Sequence, residues 1–507
     1  MRFPVNSMNV KNAYKIVLFC ILLISAACSI GPRYKRPTVM DNTWAWKDQV
    51  IKDTTTYPTT AVADSSLAAD SSVVYPADGS TALASKWWSI FNDDTLDQLM
   101  ETALNNNLNL KTSALRILES RGMVNVAKAN YYPGITIDPS ISRNELSGNR
   151  PNQFSNSSLP QLTLTTITVP INMSYELDVW GKFRRSVESA EASMRASQAD
   201  YEVIRLSLTA DIASNYFTLR LIDQQIKLYT DALQLRKQNL NLTRGQYEGG
   251  LTSKLDVVQA EIEAASVESQ LIDANRTRAL SENAIAVLCG IPTMNFTVAP
   301  HPGLPKVPPV PLEIPSDLLQ RRPDIAEAEQ QLIYANAQIG VAQAAFFPSV
   351  KLTGASAGFL SSRFDNLFER QSTTWLAGVG VSIPVFTGGR NIAQKNIAEA
   401  RLKESELAYR QVVLNAFREV QDAMANLEYR TQQAVVQQRA LTSANSSSDM
   451  SRELYKKGLT TYLNVIVADR AVLDAQNAFI VTTGQRIIYS ISLIKALGGG
   501  WNGSVMK

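Results

Sequence analysis

Tyr247 to Glu261 reads YEGGLTSKLDVVQAE, and 208 residues later Tyr455 to Asp469 reads YKKGLTTYLNVIVAD. The stretches agree at Tyr, Gly, Leu, Thr, Leu, Val and Ala, and both close on an acid. A repeat means that one supersecondary unit occurs twice in equivalent settings, and a period this long describes two half-molecules rather than a solenoid. In each copy glycine can take positive φ and end a helix: Gly249 and Gly250 in the first, Gly458 in the second. Thr252 and Thr460 can then cap the helix that follows. Each copy reads as the turn of a helical hairpin.

Outward from the turns, proline marks the arms. None lies between Pro170 and Pro292 or after Pro384, whereas nine fall in residues 292–323. Proline breaks helix interiors, so the Pro-free arms read as long helices and the Pro-rich stretch as a connector. Within the first arm Ile204, Leu208, Ile212, Tyr216, Leu219, Ile222, Ile226, Tyr229 and Leu233 recur every three or four residues, a helix-packing seam. At 1.5 Å per residue, Lys182 to Arg244 would span roughly 95 Å. GKFRRSVESAEA at Gly181 and GRNIAQKNIAEA at Gly389 extend the repeat at the same offset. An earlier helix is expected over Thr95 to Lys128, with Leu96, Leu99, Leu104, Leu108 and Leu110 on its apolar face.

Before each arm the periodicity changes. YYPGITIDPSIS at Tyr131 and FFPSVKLTGASAG at Phe346 end helices and begin β-rich segments. Each is followed by a second alternating strand, QLTLTTITVPINMSYELDVW and TTWLAGVGVSIPVF. Four strands per chain are too few to close a transmembrane barrel, so three chains contributing twelve strands is the expected arrangement. The fold class is therefore mainly α with a β-barrel part.

Arg2, Lys11 and Lys15 precede the apolar run Ile16 to Ala27, which ends in small residues before Cys28. This is the form of a secretory signal, too short to cross a bilayer as a helix. Cys28 follows Ser25, Ala26 and Ala27 as in a bacterial lipobox, where the cysteine becomes the acylated first residue; ordinary cleavage near Ala27 is the alternative. The expected organisation is signal 1–27, Ser/Thr/Ala-rich lipid-anchored tether 28–85, first repeat 86–291, connector 292–317 and second repeat 318–507. Removing the three basic residues of the signal from 49 leaves 46, equal to the 46 acids, so no basic excess points to nucleic acid. Cys289, in an apolar AVLCGIP run, reads as a buried hydrophobe.

CSIGPRYKRP at Cys28, WWSIFNDDTLDQL at Trp87, and LLQRRPDIAEAEQQLIYANAQIGVAQAAFFPSVKLTG at Leu318 resemble the outer-membrane efflux lipoproteins, the TolC-like channels of tripartite pumps. The resemblance covers the mature chain except its tether. It implies a lipid-anchored homotrimer in the bacterial outer membrane, with a barrel in the lipid and helical hairpins reaching into the periplasm. There the repeated turns would meet a periplasmic adaptor, which links the duct to an inner-membrane transporter of the resistance-nodulation-division type. A duct for ABC-type protein secretion and a non-transporting periplasmic coiled-coil scaffold are the alternatives.

The resemblance also implies a closed entrance at the turns. Tyr455 matches a gate tyrosine of relatives, while Asn464 and Val467 stand where some have Asp, and Thr460 replaces an arginine. Tyr247 is the first-copy counterpart of Tyr455, and Asp469 lies slightly farther along the second. Asp256 reads either as a constriction charge repelling its copies in a threefold ring or as a first-turn residue stabilising a helix N-terminus. No catalytic, cofactor or metal-binding motif accompanies these residues: the only histidine, His301, sits in APHPGLPKVPP, and eleven Met with one His make no metal relay. Arg321, Arg322 and Asp324 read as a cap orienting the helix that Pro323 begins.

Overall fold

The computed structural model describes residues 30–37, 86–149, 160–308 and 321–501. The signal, Cys28, residues 38–85 and connector residues 309–320 lie outside them. Seven helices are described: α1 (Asp94–Asn106), α2 (Leu108–Ala129), α3 (Lys182–Glu248), α4 (Lys254–Leu288), α5 (Pro323–Ala344), α6 (Arg390–Lys456) and α7 (Tyr462–Ala496). Six strands join them: β1 (Gly134–Ile137), β2 (Ser140–Leu146), β3 (Leu162–Leu177), β4 (Ser349–Ser361), β5 (Thr373–Leu376) and β6 (Gly380–Ser382). None of the described helices is long and apolar enough to cross a membrane.

The repeat is carried into the helix boundaries themselves. α3 and α6 each have 67 residues, α4 and α7 each have 35, and every boundary is displaced by 208. The chain divides into two compact units.

One unit holds Ile117–Ala196 and Glu329–Ala408 with residues 30–37, and contains every strand. The four expected strands appear as six segments because the first path is interrupted after Ile137 and the last after Leu376. All pairings are antiparallel, in the order β1/β2, β3, β4, β5/β6, so the two hairpins form one sheet through β3 and β4. Its two faces differ. Val169 pairs with Phe359, Ile171 with Ala357, Tyr175 with Leu352 and Leu177 with Val350 on one face, whereas Asn172 pairs with Ser356 and Glu176 with Lys351 on the other. Ile135, Ile137 and Trp375 extend the apolar face and are exposed in the single chain.

Residues 30–37 are fixed in this unit. Ile30 N–H donates to Trp180 O at 3.2 Å, and Arg185 donates to the carbonyls of Ile30 and Gly31, both at 3.2 Å. Asn336 donates to Pro32 O at 3.0 Å, and Arg36 Nε to Glu329 Oε1 at 2.7 Å. Gly31 has φ +112, and a Cβ there would lie 2.7 Å from Gly340 Cα, so only glycine lets the segment lie this close to α5.

The other unit is helical. Its core joins Trp87, Leu96 and Met100 to Ile212, Phe217 and Leu219 of α3, Ile285 of α4, Val420 and Leu427 of α6, and Ile487 and Ile491 of α7. The expected α3 seam is inside: Leu208, Ile212, Tyr216, Leu219, Ile222, Tyr229 and Leu233 are buried. Cys289 is fully buried, and burial raises its thiol to about 11.

The single helix expected over Thr95 to Lys128 is two helices, broken at Asn107. Asn107 has ψ 127; its side-chain oxygen accepts from Leu110 N–H at 2.9 Å, and its amide donates to Leu288 O at 2.9 Å. One residue thus caps the start of α2 and the end of α4. Arg322 repeats the arrangement before α5, donating at 2.9 Å to Ala496 O, the last residue of α7. Pro323 opens α5, and Arg322 also binds Asp324 and Glu419, the structural role expected of it. His301 is held in its loop, its N–H on Asp223 at 3.0 Å and Nδ1 3.0 Å from Arg220.

Candidate gate at the helical turns

The two repeated turns close with the same hydrogen bonds. Leu251 N–H donates to Gln246 O at 2.8 Å and Gly250 N–H to Tyr247 O at 2.9 Å; Leu459 to Leu454 O and Gly458 to Tyr455 O, both 2.9 Å, are their counterparts. Gly250 and Gly458 take φ of +72 and +70, which completes a Schellman-type ending. Gly249 does not take positive φ; its N–H continues the helix to Gly245 O, as that of Lys457 does to Glu453 O.

The helices after the turns are not capped by Thr252 and Thr460. Ser253 and Thr461 stand at the N-caps, one residue later, because Schellman closure consumes Leu251 and Leu459 and leaves one further residue in each turn. Ser253 forms a capping box with Asp256, whose carboxylate also accepts from the Thr252 hydroxyl. Asp256 is therefore occupied as a helix-start residue. Thr461 makes no side-chain cap bond, and Asn464, the counterpart of Asp256, donates instead to Thr460 Oγ1 at 2.6 Å. An amide in place of the carboxylate dissolves the box.

The turns differ in their ring contacts too. Tyr455 packs on Tyr462, ring centroids 5.5 Å apart, while in the first copy Lys254 Nζ lies 5.6 Å from the Tyr247 ring. Lys254 and Tyr462 are repeat counterparts, so one site has exchanged a cation over a ring for a ring pair. Tyr462 also hydrogen-bonds Thr243 of α3, and burial pushes its phenol pKa up. Leu251, Leu255, Leu459 and Leu463 are exposed in the single chain.

Asp469 is not a solvent-facing charge. It is buried on α7, accepting from Arg236 Nη1 at 2.7 Å, from Ser448 Oγ at 2.6 Å and from Arg452 Nη2 at 2.9 Å. The next residue, Arg470, reaches buried Glu263 of α4, Nε to Oε1 at 2.7 Å. Two adjacent residues of the second hairpin thus bind both helices of the first. Arg236, Ser448, Glu263, Arg470 and Tyr462 were not singled out in the sequence. The repeat did carry one signal: Arg244 binds Glu261 at 2.8 Å as Arg452 binds Asp469, the same pair at the same offset.

The model of the outer membrane efflux protein family matches residues 99–291 and 314–499. The chain is 31% identical over 420 residues to a probable outer membrane lipoprotein, SilC, of Salmonella typhimurium, covering 82% of this chain and 88% of that one. It is 29% identical over 491 residues to the cation efflux system protein CusC of Escherichia coli, covering 96% of this chain and 99% of that one. Among solved structures, the outer-membrane channel OprN superposes with a TM-score of 0.80 at 26% identity, over 94% of this chain and all of that one.

Proposed function

The chain belongs to the outer membrane efflux protein family, and from that premise we propose that three copies form the exit duct of a tripartite pump, gated at the two repeated turns. The coarser statement stands by itself: this is an outer-membrane channel component of efflux systems, and its work is transport rather than catalysis.

The sheet carries the finer reading. β3 and β4 have 16 and 13 residues, enough to cross a bilayer, and between Val169 and Leu177 one face of their pair is mainly apolar while the other carries Asn172, Ser356, Glu176 and Lys351. Among the described residues the outer strands pair on one side only, which leaves two open edges. A sheet edge inside lipid must be paired, and closure by two further copies gives a barrel of twelve strand paths with a polar lumen. The helical hairpins then form the periplasmic passage. Its entrance is the set of turns held by Tyr455, Tyr462, Asn464 and Thr460, where a periplasmic adaptor linked to an inner-membrane transporter docks. Cys28 carries the lipid that adds a second anchor in the same membrane.

The test is a heat-modifiable trimer in outer-membrane fractions that conducts ions in planar bilayers. A monomer without conductance overturns the duct. Cross-linking from Leu251 and Leu459 in cells captures an inner-membrane-tethered adaptor if the turns are the docking end, and none if they are not.

A further inference from the structure

We propose that the groove beside Ile30 holds an acyl chain of the lipid on Cys28, so that the anchor is seated on the protein rather than wholly dissolved in the bilayer. The inference rests on the reading of Cys28 as the acylated first residue of the mature chain.

The groove measures about 460 Å³ and is lined by Ile30, Phe346, Phe347 and Ile392, with Gln343, Lys395 and Asn396 completing its wall. Ile392 and both phenylalanines are exposed, so its apolar wall has no occupant from the described residues. An uncovered concave apolar surface of this size suits a ligand with a long apolar body. One end of the chain arrives there in a fixed position. Ile30 is held by its N–H on Trp180 O at 3.2 Å and by Arg185 on its carbonyl, and Trp180 is in turn set by its Nε1–H on Pro348 O at 2.6 Å and by its ring against Phe347, 4.9 Å away.

Cys28 is two residues upstream, and two residues extend at most about 7 Å. The acylated residue therefore cannot leave the neighbourhood of the groove, whichever way residues 28 and 29 run. The same wall leads into β4 at Ser349, so the groove lies beside the strands that enter the lipid. Only the chain's own lipid is held at that position at every moment; a bulk phospholipid would have to be recruited.

The test places a photoreactive benzoylphenylalanine at Ile392 in cells fed an alkyne fatty acid, with Leu407, exposed on the same helix, as control. After irradiation, the tryptic peptide Asn391–Lys395 is isolated and the mass of its adduct read. The expected adduct at 392 is the N-terminal lipopeptide, lost at 407. An adduct of bulk phospholipid, a cross-link to a second copy, or no lipid adduct overturns the proposal. The fatty-acid label on the N-terminal peptide is scored separately: its absence refutes lipidation of Cys28, whereas a labelled terminus without the 392 adduct refutes only the seating.

Discussion

Arg236 of α3 and Asp469 of α7 lie 2.7 Å apart with side chains 8% and 2% exposed, although they belong to different helical hairpins. Arg470, next to Asp469, makes the second tie through Glu263. A buried pair that loses one member strands the other charge, at a cost of roughly 3 to 5 kcal/mol. Asp469→Leu is expected to destabilise the helical unit by that order. Arg236→Met combined with Asp469→Leu should cost clearly less than the sum of the single changes. Chemical denaturation in a double-mutant cycle checks this; simple additivity would mean that the two side chains do not act as a pair.

Glu327 makes a pH prediction. Burial, then the neighbouring charges of Asp200 and Asp324, raise its carboxyl to about 7 from 4.5. The folded state thus holds a proton that the unfolded state has lost between these values, so this group makes stability fall as pH rises through the window. Thermal melts of the wild type should show a loss between pH 5 and pH 8 that Glu327→Gln reduces. A variant with an unchanged pH profile contradicts the assignment.

Asp256 accepts from Ser253 N–H in the capping box and from the Thr252 hydroxyl, which supports its reading as a helix-start residue. Block of single-channel conductance by divalent cations should be the same in Asp256→Asn as in the parent. Ser253→Ala should instead cost about 0.5 to 2 kcal/mol, seen as faster amide exchange in the first turn of α4. Relief of divalent block in Asp256→Asn would restore the ring reading.

Glycines of like conformation should differ in cost. A Cβ on Gly250 meets nothing within 4 Å, so Gly250→Ala carries only left-handed strain of about 1 to 2 kcal/mol. A Cβ on Gly498 would lie 2.0 Å from Arg321 O, and one on Gly290 would lie 2.6 Å from Asn106 O. Both alanine variants should therefore melt well below Gly250→Ala. Equal melting temperatures for all three would show that the backbones at the ends of α4 and α7 separate freely.

At the turns, removing the ring that Tyr462 sets against Tyr455 and its bond to Thr243 should loosen the entrance. Tyr462→Ala is expected to raise conductance in planar bilayers, and Lys254→Ala, its counterpart in the first copy, to change it less. The reverse order would place the controlling contact at Tyr247.

The sequence by itself determined the duplication, the long Pro-free helices, the turns at Gly250 and Gly458 and the two strand pairs before the arms. These follow from local chemistry: glycine's access to positive φ, proline's missing donor and the two hydrophobic periods are legible residue by residue. Only the tertiary structure decided the break at Asn107, the caps at Ser253 and Thr461, and the burial of Asp469. Asn107, at the break, gives its side-chain amide to Leu288 O, 181 residues away, and buried Asp469 is paired with Arg236 from the other hairpin. A side chain's partner distant in the chain leaves no trace in its own neighbourhood, and burial then reverses what its charge implies.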